Sequence, residues 1–223
     1  LPSAAALRQC SGADVSTGEG FDVRRFRPFL LLAIVLAVSQ PARAGKFNRV
    51  LSIGDKAPAF AALQNVDGKR HGLADYRNAK LVVVAFIANR CPMAKQYEPR
   101  MLAFQKKYAA KGVQFVAISS SRFPADGFEQ MQARAKKSGY RFPYLHDPTQ
   151  KTGRAFGATH TPHFFVLDGR RRVAYMGAFD DNRDAAKVAE RYLRDAVDAL
   201  LAGKKPEVAE TRQFGCEIEY AKE

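Results

Sequence analysis

Cys91 is the residue of this 223-residue chain with the strongest claim to chemistry. It follows the apolar run Lys80–Ala88 (KLVVVAFIA) after the short link Asn89-Arg90, and Pro92 comes directly after it. Proline suits the first position of a helix, where its missing N–H would be unbonded anyway and its φ is already helical. Cys91 is therefore expected at a helix N-terminus, where free N–H groups and the helix dipole favour negative charge. Such a place favours the thiolate, the nucleophilic form of cysteine. Arg90 and Lys95 are near in sequence and add positive charge. The chemistry to expect is thiol chemistry: exchange with a disulfide, or attack on a peroxide through a sulfenic acid. A small buried thiol without chemistry is the plain alternative, and the strand–Cys–Pro–helix context weighs against it.

Two more cysteines, Cys10 and Cys216, complete the set of three. Between Cys10 and Cys91 lie the three parts of a secretory signal: basic Arg24, Arg25 and Arg27, the ten-residue apolar run Phe29–Val38 (FLLLAIVLAV), and small-x-small Ala42-Arg43-Ala44. Residues 1–44 are read as a leader, with the signal peptide over about residues 21–44. The apolar run is too short for an ordinary membrane-spanning helix of about 20 residues, although an uncleaved leader would tether the chain to a membrane. Cleavage after Ala44 removes Cys10 and leaves Cys91 and Cys216 in an exported protein, periplasmic or otherwise extracytoplasmic, where disulfides persist. An even pair is compatible with a disulfide, and the sequence leaves the pairing open.

The elements that must position Cys91 follow from pattern. Hydrophobic residues make up 47% and charged residues 26%, the composition of a globular protein, and net charge is +14. The lysines and arginines are scattered through amphipathic stretches, so no nucleic-acid partner is expected. Arg170-Arg171-Arg172 reads as a solvated turn after Asp168-Gly169. No Cys/His cluster has zinc spacing and no glycine loop suits phosphate, so no metal or cofactor is expected. Asp67-Gly68 marks a turn between two short extended stretches. Lys80–Ala88 reads as a strand buried on both faces, at the centre of a mainly parallel sheet. Tyr97, Met101, Phe104 and Tyr108 recur at helical spacing after Pro92, and Gly112 ends that helix. A second strand is expected at Val113–Ile118 and a helix over Pro124–Ser138. A short extended piece at Phe142–Leu145 and a short helix over Lys151–Gly157 come next. Phe164–Leu167 and Val173–Met176 form a hairpin. A last helix spans Asp184–Leu201, with Val188, Tyr192, Ala196 and Leu200 on one side. Strands alternating with helices give an α/β class.

From about Val50 to Leu201 the sequence resembles the thioredoxin superfamily, in its redoxin branch with the alkyl hydroperoxide reductase/thiol-specific antioxidant (AhpC/TSA) proteins. Ile53-Gly54-Asp55-Lys56-Ala57-Pro58-Ala59-Phe60 resembles the redoxin opening, and Val83-Val84-Ala85-Phe86 the strand leading to the active-site cysteine. Pro99 stands where thioredoxins carry the proline that kinks the active-site helix, and its own chemistry predicts that kink. Thr161-Pro162 resembles the family's cis-proline dipeptide beside the active site. The resemblance implies a thioredoxin-like fold, a central mixed sheet flanked by helices with an N-terminal redoxin-type extension. The implied organisation is a domain over 45–201 and a C-terminal tail over 202–223. Two departures stand out. Ala94 occupies the place of the second cysteine of Cys-x-x-Cys, and Ala88 that of the peroxiredoxin hydroxyl. The tail Gly215-Cys216-Glu217-Ile218 resembles a Gly-Cys-x-Ile element of bacterial redoxins, which implies Cys216 as a distant resolving thiol; an unpaired tail cysteine is the alternative. His160 and His163 flank Thr161-Pro162 and are candidates to tune Cys91, with a surface position the plain reading of each. Asp180-Asp181-Asn182 resembles a loop of the same redoxins, its plain role being to cap the last helix.

The expected function is an exported thiol–disulfide oxidoreductase with Cys91 as nucleophile, Cys216 as resolving thiol, and Pro92, Arg90, Thr161 and Pro162 supporting them. Its partners would be protein or small-molecule disulfides, with an external thiol reductant; membrane contact would come only through the leader. Thiol-dependent peroxide reduction is the second reading, and a non-enzymatic module holding a partner through Cys91 the third. The leader carries a direct test: N-terminal sequencing of protein from the host should begin at Gly45, and recovery of the uncleaved chain in the cytoplasm would contradict export.

Overall fold

The structure is a computed structural model describing residues 44–222. The leader with its basic and apolar parts, and Cys10, lie outside the described residues.

The apolar run of the sequence forms strand β3 (Leu81–Phe86), and all six of its residues are buried. Its side chains alternate between two apolar layers, as the period of two in a strand requires. Val83 and Ala85 face one layer with Tyr97, Met101, Phe104, Tyr108, Met131 and Val197. Val82, Val84 and Phe86 face the other with Val116, Ile118, Phe156 and Phe165. β3 pairs parallel with β4 (Val113–Ser119) and antiparallel with β7 (His163–Leu167). The remaining strands of this sheet are β1 (Leu63–Asn65), β2 (Arg70–His71), β5 (Tyr144–His146) and β8 (Val173–Gly177), and the spatial order is β2-β1-β5-β4-β3-β7-β8. The sheet is mixed, not mainly parallel: β3–β4 and β4–β5 are its parallel pairings. The tight turns at Asp67-Gly68 and Asp168-Gly169 account for the antiparallel pairs β1–β2 and β7–β8, because a short hairpin connection joins only antiparallel strands; β1–β5 and β3–β7 are antiparallel through longer connections.

Helix α1 (Pro92–Ala109) starts at the end of β3 and continues through Pro99. The predicted face of Tyr97, Met101, Phe104 and Tyr108 is buried. α2 (Phe128–Ser138) and α4 (Tyr192–Leu201) contribute Met131, Leu193 and Val197 to the same layer, while α3 (Lys151–Phe156) contributes Phe156 to the opposite one.

Two expected helices are shorter than their patterns suggest. Pro124–Ser138 breaks at Gly127 into a 3-10 turn, Pro124–Asp126, and α2. The cause is Asp126, which is buried and accepts from the Arg90 N–H at 2.9 Å and the Ser121 hydroxyl at 2.6 Å, fastening that turn to the loop before Cys91. Asp184–Leu201 begins as helix only at Tyr192. Asp184 caps the short turn Ala185–Lys187, and the Asp181 carboxylate takes the N–H groups of Ala189 and Glu190 at 3.0 Å, so Val188 lies off the helix. Asp180 is buried and accepts from the Tyr97 hydroxyl at 2.8 Å and Arg100 at 2.6 Å. The Asp180-Asp181-Asn182 loop thus fastens α1 to the chain after β8 instead of capping the last helix. Arg171, expected in a solvated turn, donates inward to the carbonyls of Asp168, Tyr76 and Ala79.

Candidate functional site: a buried thiol, a cis-proline edge and a docked tail

Cys91 is the N-cap of α1, in extended conformation, with no exposed surface. Its sulfur accepts from the Ala94 N–H at 3.3 Å, and its thiol donates to the Thr161 carbonyl at 2.9 Å. The first contact is what a helix N-terminus offers an electron-rich side chain. Pro92 at the first helical position fixes that geometry, and its ring is exposed. The Thr161–Pro162 peptide bond is cis, and His160–Thr161 form the short strand β6.

The far side of β6 is occupied by the chain's own tail. Strand β9 (Cys216–Glu217) pairs antiparallel with β6, Cys216 opposite Thr161 and Glu217 opposite His160. Gly215 enters this pairing at φ +153°, where a Cβ would overlap the Thr161 carbonyl. Only glycine combines that dihedral with that approach. The tail is held beyond β9 as well. Ile218 is buried, and its N–H donates to the Thr159 carbonyl at 2.9 Å. The Tyr220 hydroxyl donates to the Ala158 carbonyl at 2.7 Å, and the Gln150 side chain bonds the backbone of Glu219 and Ala221. Before β9, Phe214 sets its ring edge-on to Tyr97, centroids 6.3 Å apart.

Docking brings Cys216 to Cys91. Both are free thiols, Cys91 buried and Cys216 partly exposed. The Cys216 thiol is pushed up to about 11, first by burial, then by its hydrogen bond with Cys91 and the charge there; the Met93 N–H and Arg90 pull the other way. Arg90 lines the same small cavity as Cys216, with its guanidinium 3.5 Å from the centre of the Phe123 ring and 3.5 Å from the Glu219 carboxylate. Lys95 is exposed on the helix surface.

A cavity of about 20 Å³ adjoins the two sulfurs, lined by Ala88, Arg90, Ser120, Ser121, Phe123 and Thr161 among others. That is room for roughly one water-sized molecule. Ala88 brings no hydroxyl to it, and the hydroxyls of Ser120 and Ser121 are donated to Asp147 at 2.7 Å and Asp126 at 2.6 Å. Among the described residues, no group of three or more His, Cys, Asp or Glu side chains gathers to hold a metal.

The histidines divide. His160 is half-buried and bonds the Thr159 hydroxyl at 2.9 Å. His163 is buried, not a surface residue, because it opens β7 opposite Phe86 at the centre of the sheet. Its ring packs 4.4 Å from Phe165 and its Nδ1 has no hydrogen-bond partner. Burial, and secondarily His160, hold it down to about 3. Two residues escaped the sequence reading. Asp126 has no local signal beyond its turn after Pro124, and Gln150 reveals itself only through φ +58°, which no motif marks.

The Redoxin family model matches residues 52–193. This chain belongs to the Redoxin family. The fold of this redoxin is thioredoxin-like. It superposes on the crystal structure of a hypothetical protein from Sinorhizobium meliloti with TM-score 0.73 and 36% identity, covering 78% of this chain and 97% of that one. It is similar to the thiol-disulfide oxidoreductase ResA of Bacillus anthracis, 27% identical over 150 residues, 66% of this chain and 83% of ResA. It is also similar to a candidate peroxiredoxin of Mycobacterium tuberculosis, 32% identical over 108 residues; the match covers 48% of this chain and 65% of that protein, just under two thirds of its length.

His163 gives the redoxin a defined acid sensitivity. Its folded value of about 3 lies below the ordinary histidine value of about 6.5. Well above pH 6.5 neither the folded nor the unfolded chain protonates it. As pH falls from there towards 3, the unfolded chain binds a proton that the folded chain refuses, so stability drops by up to about 1.4 kcal/mol per pH unit. His163→Phe removes that share. In urea unfolding at pH 7, 6, 5 and 4, wild-type stability should fall relative to the variant with that slope; parallel profiles would contradict it.

Proposed function

We propose that this redoxin is an exported thiol–disulfide oxidoreductase cycling between a Cys91/Cys216 dithiol and a Cys91–Cys216 disulfide. The observation that carries the reading is the register of β9 on β6, which sets the tail cysteine opposite the residue whose carbonyl accepts the Cys91 thiol. Cys216 thereby supplies the second thiol that Ala94 does not. The domain over 45–201 and the tail over 202–223 form one working unit, and export rests on the leader pattern.

In the oxidising half-cycle the Cys91 thiolate attacks one sulfur of a small disulfide, expelling one thiolate. Cys216, deprotonated, then attacks the Cys91 sulfur and expels the second. The resemblance to ResA supports exchange chemistry. Burial of Cys91 and an adjoining cavity with room for roughly one water-sized molecule support a second reading, peroxide reduction. There Cys91 would take one peroxide oxygen as a sulfenic acid, and Cys216 would displace it as water. The absence of a hydroxyl at Ala88 places this second.

Peptide mapping of the oxidised chain under non-reducing conditions should recover Cys91 joined to Cys216, and Cys91→Ser should abolish turnover with a small disulfide. Cys216 still alkylatable after full oxidation of Cys91 would contradict the cycle. A peroxide assay on the same preparation separates the two readings.

A further inference from the structure

We propose that a second cavity, between α1 and the loop after β8, is a binding site for a small organic anion: a carboxylate carried on an aromatic or branched apolar body. The proposal is independent of the two-cysteine cycle, because neither Cys91 nor Cys216 lines this cavity.

The cavity measures about 320 Å³, against about 20 Å³ beside the two sulfurs. Sites that bury small molecules occupy about 300–1,000 Å³, so its size suits a compact ligand.

Its floor is aromatic and fixed. Phe104 and Tyr108 pack with ring centroids 4.4 Å apart, Phe179 sets its ring edge-on to Phe104 at 5.9 Å, and all three residues are buried. Val188 adds an apolar wall. The Asp181 carboxylate holds the amides of Ala189 and Glu190, which keeps Val188 off α4 and sets it in that wall instead. A flat apolar group laid on such a floor gains both buried area and ring contacts.

The rim is cationic. Arg100, Lys107, Arg191 and Arg194 line the cavity, and Asp180 is the one carboxylate that does so. Asp180 is buried and already engaged, accepting from Arg100 at 2.6 Å and from the Tyr97 hydroxyl at 2.8 Å. Arg100 also donates to the carbonyls of Asn182 and Arg183. That pair cancels, and three cations remain. Among the described residues, Lys107, Arg191 and Arg194 form no ion pair. The carboxylates nearby are committed to the fold: Asp181 to its two amides, Asp184 to the Ala186 amide, and Asp198 to the Tyr108 hydroxyl at 2.8 Å. The Lys107 ammonium stands 4.8 Å from the centre of the Tyr108 ring, at the edge of the floor. Guanidinium groups grip a carboxylate through paired N–H bonds, and two arginines without an acidic partner border this floor. An organic cation would be repelled there, and an inorganic anion would leave the aromatic surface unused.

The probe is 2-naphthoate, titrated into the purified chain by isothermal titration calorimetry, with 2-naphthamide as the neutral counterpart of the same shape. Naphthoate should fill one saturable site per chain, and the amide should bind at least about tenfold more weakly, the order expected when a hydrogen bond to a charged group is lost. Arg191→Glu should weaken naphthoate by a similar factor through charge. Ala103→Phe should do so by filling the cavity mouth. Both positions are exposed, and circular dichroism checks that each variant is folded. Absence of a saturable site for naphthoate overturns the proposal. So does equal binding of the amide or of inorganic phosphate, or an affinity unchanged in both folded variants.

Discussion

The carbonyl of Thr161 is the point at which the site is joined. On one side it accepts the Cys91 thiol at 2.9 Å; on the other the backbone of Gly215 closes against it so tightly that no Cβ fits. Cys91 comes from the loop after β3, the carbonyl from the cis-proline turn before β7, and Cys216 from a tail more than fifty residues farther along. The three segments share no local sequence. They meet because β3 and β7 pair in a register that sets Phe86 opposite His163, and because the tail adds a strand to β6. Adding a strand to an exposed edge is a general way for one segment to recognise another through its main chain, and here the chain does so to itself.

This arrangement divides the labour between two unlike sulfurs. Cys91 is sealed in the core with an amide directed at its sulfur; Cys216 is partly exposed, and burial and its hydrogen bond with Cys91 push its thiol up. A pair of thiols in one environment would have no preferred direction. The asymmetry gives the pair an inner and an outer sulfur, and the anchors on the tail keep it so: Ile218 in the core, Tyr220 on Ala158, and Gln150 holding the backbone of Glu219 and Ala221. Packing elsewhere serves the same end. Asp180 pins α1 through Tyr97 and Arg100, and Asp126 pins the loop that carries Arg90, so both flanks of Cys91 are fixed by buried carboxylates.

Much of the fold was legible because it rests on short-range patterns. A β-branched run, a Cys-Pro helix start and an aromatic stripe at helical spacing identify β3 and α1 from the sequence. The single-thiol character of the local motif was equally visible in Ala88 and Ala94. What stayed hidden was decided at long range. The break at Gly127 depends on Asp126 reaching back to Arg90, and the late start of α4 on Asp181 capturing two amides of the intervening loop. The inward burial of His163 follows from its register against β3, which no local pattern reveals. The tail motif Gly215-Cys216-Glu217-Ile218 implies a distant resolving thiol by resemblance, but the edge on which the tail docks is a tertiary fact.

The most direct measurement of the central claim is the equilibrium of the Cys91–Cys216 disulfide against glutathione, in the wild-type chain and in Gly215→Ala. A methyl group at Gly215 must push β9 away from the Thr161 carbonyl, and with it Phe214 and Ile218, which pack on the two layers. A variant that remains folded by circular dichroism, with a disulfide equilibrium constant lowered by about tenfold or more, the equivalent of about 1.4 kcal/mol or more, is the expected result. An unchanged constant in a folded variant would show that the close approach of the tail to Thr161 does not create the redox pair.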